Sequence, residues 1–170
     1  MMRIVGIVLA VAVAAAVLGL WWLTRPTSTA VEVYFVRDEG TVSTVVPVSR
    51  TVQASGTLDL LDAALRELLA GPTEAERFSG LTTAIPAGTR LRSIGVERGV
   101  VSADFTREVE SGGGSASMLG RFWQIVHTAT QLRAAPRVRI LIEGQQRESM
   151  GGEGVVIDRP IERPATPPRF

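Results

Sequence analysis

Residues Ile4 to Leu23 form a run of twenty with no charged or strongly polar side chain. At roughly 1.5 Å of rise per residue, a helix of this length spans about 30 Å, the thickness of a bilayer core. The run exceeds the apolar core of a cleavable signal peptide. The rest of the chain is too small to wrap it as a buried helix. A membrane anchor or signal-anchor over residues 1–24 is therefore expected, with Trp21 and Trp22 at the interface. Ser28-Thr29-Ala30 would serve as a small-residue cleavage site, so a secreted domain without its leader stays open. The flanking charges fit a short cytoplasmic N-terminus and a domain carried outside the cytoplasm.

Beyond the run the pattern changes to short periods. Residues 25–30 read as a linker. Val31 to Val36 is β-branched and aromatic, a strand, and Asp38-Glu39-Gly40 turns the chain. Val42 to Val48 is a second β-rich stretch, and Pro47 predicts an edge position. Thr57 is a candidate N-cap with Asp59 in the first turn. Leu58, Leu61, Leu65 and Leu68 then mark one face of a helix. Gly71-Pro72 ends it. Thr73 to Thr89 reads as a loop.

Arg90–Val96 and Val100–Phe105 read as a hairpin around Glu97-Arg98-Gly99. A second helix starts near Ser115 or Ser117, with Leu119, Phe122, Ile125, Val126 and Ala129 as its apolar face. Val138–Ile142 is a strand, Glu143-Gly144 a turn, and the chain is expected to pair back from Gln145. Gly151-Gly152-Glu153-Gly154 is a further turn. Four prolines after Asp158 predict an extended or disordered tail. No internal repeat is present. The order is β(β)αββαβ(β). Two amphipathic helices need one sheet face to cover, so the expected fold is α+β: a two-layer sandwich, both helices on one face of a mixed β-sheet.

Composition narrows the chemistry. All 18 basic residues are arginine, 17 residues are acidic, and there is one histidine and no cysteine. Disulfides, zinc-thiolate sites, thiol nucleophiles and a lipid-modified cysteine are excluded. So are Schiff-base and P-loop chemistries that need lysine. A net charge of +1 argues against a nucleic-acid partner.

The remaining candidates are few. His127 falls at the margin of the second helix's apolar stripe, a structural or surface histidine. Gly112-Gly113-Gly114-Ser115 reads as a flexible loop rather than an anion cradle. Asp104 with Glu108 or Glu110 would be the one acid/base couple available to an enzyme. Arg90, Arg92, Arg137 and Arg139 alternate on strands, and each pair projects from a sheet face. They are either a solvated guard against edge pairing or a basic stripe for an anionic wall polymer or acidic partner. Trp123 adjoins Phe122 off the centre of the stripe. It is a core residue or, if exposed, an anchor for a partner or sugar ring.

Five blocks, in order, resemble the GerMN domain of sporulation and spore-germination proteins. They are Leu65–Thr73 (LRELLAGPT), Ile85–Leu91 (IPAGTRL), Gly99–Phe105 (GVVSADF), Gln124–Gln131 (QIVHTATQ) and Val138–Gly144 (VRILIEG). His127 stands where the family often has Tyr, and Ala129 where it often has Leu. The resemblance covers residues 31–163, leaving 164–170 as a Pro-rich tail.

It implies an extracytoplasmic, membrane-tethered module of the bacterial cell envelope, and it carries over no catalytic residue. The expectation is a non-enzymatic binding or assembly module without cofactor or metal. Its partner would be an envelope protein or peptidoglycan, met through Arg90, Arg92, Trp123, Arg137 and Arg139, and homo-oligomerisation stays open. The alternative is an envelope hydrolase or other wall-modifying enzyme built on a carboxylate pair.

Overall fold

The computed structural model describes residues 14, 15, 19, 27–151 and 154–170. The expected anchor lies outside them except for Ala14, Ala15 and Gly19, which are helical. Among the described residues no helix is long and apolar enough to cross a membrane.

Strand β1 (Thr27–Asp38) pairs antiparallel with β2 (Ser43–Ala54) along its whole length. The expected linker is thus shorter than 25–30, because Thr27–Ala30 already pair with Thr51–Ala54. Pro47 sits opposite Tyr34, and β2 is an edge strand. The main-chain groups of Tyr34 point away from β2, to Thr128 and Gln124, so the N–H that Pro47 lacks falls on the free edge.

Helix α1 (Thr57–Ala70) buries Leu61, Ala64, Leu65 and Leu68, while Leu58 is exposed, so the stripe begins one turn later than its spacing implied. Its N-cap is Gly56 rather than Thr57, and the Asp59 carboxylate accepts the Ser55 N–H (3.2 Å). Gly71 closes it at φ 82°, a left-handed backbone suited to glycine.

The segment read as a loop holds a short helix, α2 (Glu74–Phe78), and a two-residue strand, β3 (Leu81–Thr82). Thr73 and Glu76 form a reciprocal capping box at the start of α2. Arg50 on β2 pairs with Glu76 and with Glu67 of α1 (3.3 Å), tying the strand to both helices. Glu76 is held at a pKa of about 2, chiefly by the Arg50 hydrogen bond.

Strands β4 (Leu91–Glu97) and β5 (Val100–Phe105) form the expected hairpin. Its two-residue loop, Arg98 (φ 50°) and Gly99 (φ 76°), has the paired positive φ of a type I′ turn. A bulge at Arg92 shifts the register between Leu91 and Ser93. A 3-10 turn (Arg107–Glu110) leads into α3 (Ser115–Ala129). Strand β6 (Arg137–Ile142) pairs parallel with β5. Ile142 bridges back to Gln145, β7 (Ser149–Met150) pairs with β8 (Val155–Val156), and β9 (Ile161–Glu162) pairs with β6.

The α+β class stands, but the single sheet does not. The strands divide into a three-stranded antiparallel sheet, β2-β1-β3, a four-stranded mixed sheet, β4-β5-β6-β9, and the β7–β8 hairpin. The main core joins the two larger sheets through the helices. Val33 and Phe35 of the first sheet, Leu61, Leu65, Leu68, Ile125 and Val126 of the helices, and Val101, Phe105 and Ile140 of the second belong to one cluster. The helices therefore have two sheets to bury against. This is why α3 is covered well beyond a single stripe.

Candidate functional site

The β4-β5-β6-β9 sheet turns Val101, Ala103, Phe105, Val138, Ile140 and Ile142 to the core. Strand alternation and register put the intervening residues on the outer face. Ser102 lies between Gly95 and Arg139, Val100 between Glu97 and Arg137, and Asp104 between Ser93 and Leu141. Gly95, Ser93 and Ser102 make a low floor across the middle of this face. Arg139 is half-buried at one side, and its Nε is buried with no partner among the described residues. Arg137 is exposed in the next row, beside Glu162.

Arg92 joins this face because its bulge turns it toward Asp104. Its guanidinium donates to the Asp104 carboxylate at 2.8 Å and lies 3.8 Å from Glu143. Arg90 is exposed just before β4, and its main chain is held by Thr106 through both N–H and C=O. Three of the four predicted arginines, Arg92, Arg137 and Arg139, thus share one face.

Trp123 does not join them. It is half-buried on α3, edge-on to Phe122 (4.7 Å between centroids) and 6.0 Å from His127, beside Tyr34, Val36 and Val45 of the other sheet.

The carboxylates proposed for acid/base chemistry have structural partners. One oxygen of Asp104 takes Arg92, and the other accepts the Gly144 N–H at 2.8 Å. Glu110 accepts the Gly151 N–H (3.0 Å) and stands 3.9 Å from Arg147. Glu108 is held below the usual carboxylate range by its Thr106 hydrogen bond first of all.

Helix α3 carries the polar groups that sequence reasoning missed. Gln124 and Thr128, at i and i+4, lie on one side of α3, and Gln131, two residues past its end, bonds along the same line. That side lies along the edge of β1 that β2 leaves unpaired. Gln131 accepts the Glu32 N–H (2.8 Å) and donates to its C=O (2.9 Å). Thr128 Oγ1 accepts the Tyr34 N–H (3.1 Å), and Gln124 donates to the Tyr34 C=O (3.0 Å). Val36 pairs with Thr82 of β3. Side chains thus continue, at residues 34 and 32, a ladder that a strand begins at 36.

Arg121 and His127 are also buried, at 1% and 0% exposure. Arg121 has no carboxylate partner among the described residues. Its guanidinium donates to the carbonyls of Ala84 (3.1 Å), Val109 (2.5 Å), Ser111 (3.2 Å) and Gly112 (3.1 Å), and burial lowers its pKa. The start of the glycine-rich loop, Gly112, and the residue before it therefore turn their carbonyls to a cation. His127, expected at the stripe's margin, is enclosed beside Tyr34 (5.0 Å between centroids). Burial first, then the nearby Arg163 charge, lowers its pKa from 6.5 to about 4, so the ring is neutral at pH 7. Both ring nitrogens lack partners among the described residues.

Residues 32–148 match the Germane family, described as sporulation and spore germination. Solved structures agree. The tandem GerMN domains of the Bacillus subtilis sporulation protein GerM align at a TM-score of 0.63 and 25% identity, covering 81% of this chain and 46% of that one. The chain thus spans about half the tandem. The first GerMN domain of the same protein aligns at 0.61 and 20% identity, over 80% of this chain and 98% of that one. A candidate lipoprotein from Clostridium perfringens aligns at 0.58 and 20%, over 80% and 88%. The latter two show the shared fold. No curated protein matches the chain.

Proposed function

Because the chain belongs to the Germane family of sporulation and spore-germination domains, we propose that it is a membrane-tethered, extracytoplasmic binding or assembly module of the bacterial envelope. It engages a protein partner or peptidoglycan and performs no catalysis. The observation that carries this reading is the outer face of the β4-β5-β6-β9 sheet. There Arg92, Arg137 and Arg139 stand around the floor of Ser93, Gly95 and Ser102. Small residues let a partner approach the sheet closely, and guanidinium groups suit carboxylate or phosphate recognition. Support against the enzymatic reading comes from Asp104, whose two oxygens are spent on Arg92 and on the Gly144 N–H.

The test uses the full chain and an R137E/R139E variant, which leaves the Arg92–Asp104 pair in place. Wild type is expected to be retained by peptidoglycan sacculi or by one envelope protein, and the variant at least tenfold less at equal folded content. No species retained by wild type would overturn the proposal. So would muropeptide release that disappears in Asp104→Asn.

A further inference from the structure

The centre of β1 is apolar on both faces. Val33 and Phe35 enter the main core, while Tyr34 and Val36 join Val45 in a separate cluster on the opposite side. A sheet face open to water ordinarily carries polar residues. Here Ala84 and Trp123 give part of the cover and the tail, which is docked rather than disordered, gives the rest.

Arg163 lies 5.2 Å over the Tyr34 ring and donates to its hydroxyl (2.5 Å), and that hydroxyl donates to Glu32 (2.7 Å). Seven residues on, Phe170 exchanges both main-chain hydrogen bonds with Ser43 (2.8 and 3.0 Å), and Arg169 bridges Thr44. The Phe170 ring packs on the cluster beside Ala84, so close to α3 that a Cβ at Gly120 would meet it at 3.0 Å. Between these anchors, residues 164–168 have no regular secondary structure, and Pro164, Pro167 and Pro168 have no N–H to donate.

Two further observations lie beside this seat. Space remains at both anchors. About 250 Å³ adjoins Phe170, lined by Val36, Ala84, Ala116 and Ser117, and about 310 Å³ adjoins Arg163, lined by Gln131, Arg133 and Pro164. His127, wholly buried behind Tyr34 and Trp123, has neither nitrogen bonded. A buried polar group left in that condition is costly and is relieved by a ligand or by water.

We propose that this groove is a peptide-docking site whose resident ligand is residues 163–170, and that a second copy of the chain can supply the same segment in exchange. The chemistry recognised is an extended peptide with an arginine, a proline-rich spacer and an aromatic residue seven positions on. Tyr34, its hydroxyl held by Glu32, reads the arginine, Ser43 the main chain, and the Gly120–Ala84 gap the aromatic ring. The second copy is chosen because the segment known to fit is one that every copy carries. Exchange of an identical element makes no new kind of contact. This surface is separate from the outer face of the other sheet, so the two proposals fail independently.

The absence of native cysteine permits a direct test. Full-length chains carrying Thr44→Cys or Arg169→Cys alone are mixed in membranes under mild oxidation. Exchange predicts a disulfide between the two variants, above the level of like-with-like dimers and suppressed by excess peptide of sequence 163–170. A mixed disulfide at or below the like-with-like level, or one insensitive to the peptide, would overturn exchange. In a second arm, fluorescent 163–170 peptide is titrated into wild type and R163A/F170A. At least tenfold tighter binding to the variant is expected, since its own segment competes less. Equal binding, or none, would overturn the docking site.

Discussion

Arg121 shows how one side chain can organise a region without touching the proposed surface. Its guanidinium gathers carbonyls from residues 84, 109, 111 and 112, which two separate stretches of chain contribute. Lysine carries the charge but lacks the planar fork that reaches several acceptors at once. Arg121→Met would leave those carbonyls without their donor. It is expected to cost about 2–4 kcal/mol in equilibrium denaturant unfolding, with Arg121→Lys recovering only part.

His127 gives a pH signature at the same scale. In the unfolded chain the imidazole titrates near 6.5, but in the fold only near 4. Between those values the unfolded state takes up a proton that the folded state refuses. The neutral imidazole's stability is thus fully present above pH 6.5, is lost as pH falls through this window, and falls no further below about 4. His127→Phe removes the effect. Wild type should lose about 2 kcal/mol more than the variant between pH 7.5 and 4.5, measured by urea unfolding at each pH.

At the scale of elements, the join between α3 and β1 is the device most particular to this fold. Strand edges are ordinarily covered by another strand or left to water. Here Gln124, Thr128 and Gln131 supply the bonds. Thr128→Val keeps the shape and removes the acceptor for the buried Tyr34 N–H. It is expected to cost about 1–3 kcal/mol and to raise amide exchange at Tyr34 selectively, with little effect on β5 or β6.

The same elements mark where sequence reading succeeds and where it stops. Helix α1, the β4–β5 hairpin, α3 and β6 are legible because apolar period and turn chemistry agree there. Helix α2 is signalled by the Thr73-x-x-Glu76 pattern, but with no apolar stripe its segment reads as loop. The α3–β1 join is hidden by a general ambiguity. A polar side chain at helical spacing reads as a solvated face, whether it meets water or another segment's main chain. The same ambiguity conceals the burial of Arg121 and His127. The unbroken Val33-Tyr34-Phe35-Val36 run is the available sign that β1 is covered on both faces.

At the scale of the molecule, one core serves two sheets, and each sheet keeps an outer face of different character. The β2-β1-β3 sheet is apolar at Tyr34, Val36 and Val45 and is closed by the chain's own tail. The β4-β5-β6-β9 sheet has a polar outer face, with small residues and three arginines. That contrast is the reason the second face is the one proposed to meet an envelope partner. The division into two sheets is not legible because strand patterns report which faces are buried, not which strands pair.

The most direct test of that assignment is photocrosslinking in living cells from a benzophenone amino acid at Ser102, between Gly95 and Arg139. The account predicts one discrete adduct with an envelope protein or with cell-wall glycan, lost in R137E/R139E and not formed from a probe at the exposed Glu74 of α2. No adduct from Ser102 in a folded, correctly localised chain, or an adduct unchanged by R137E/R139E, would contradict it.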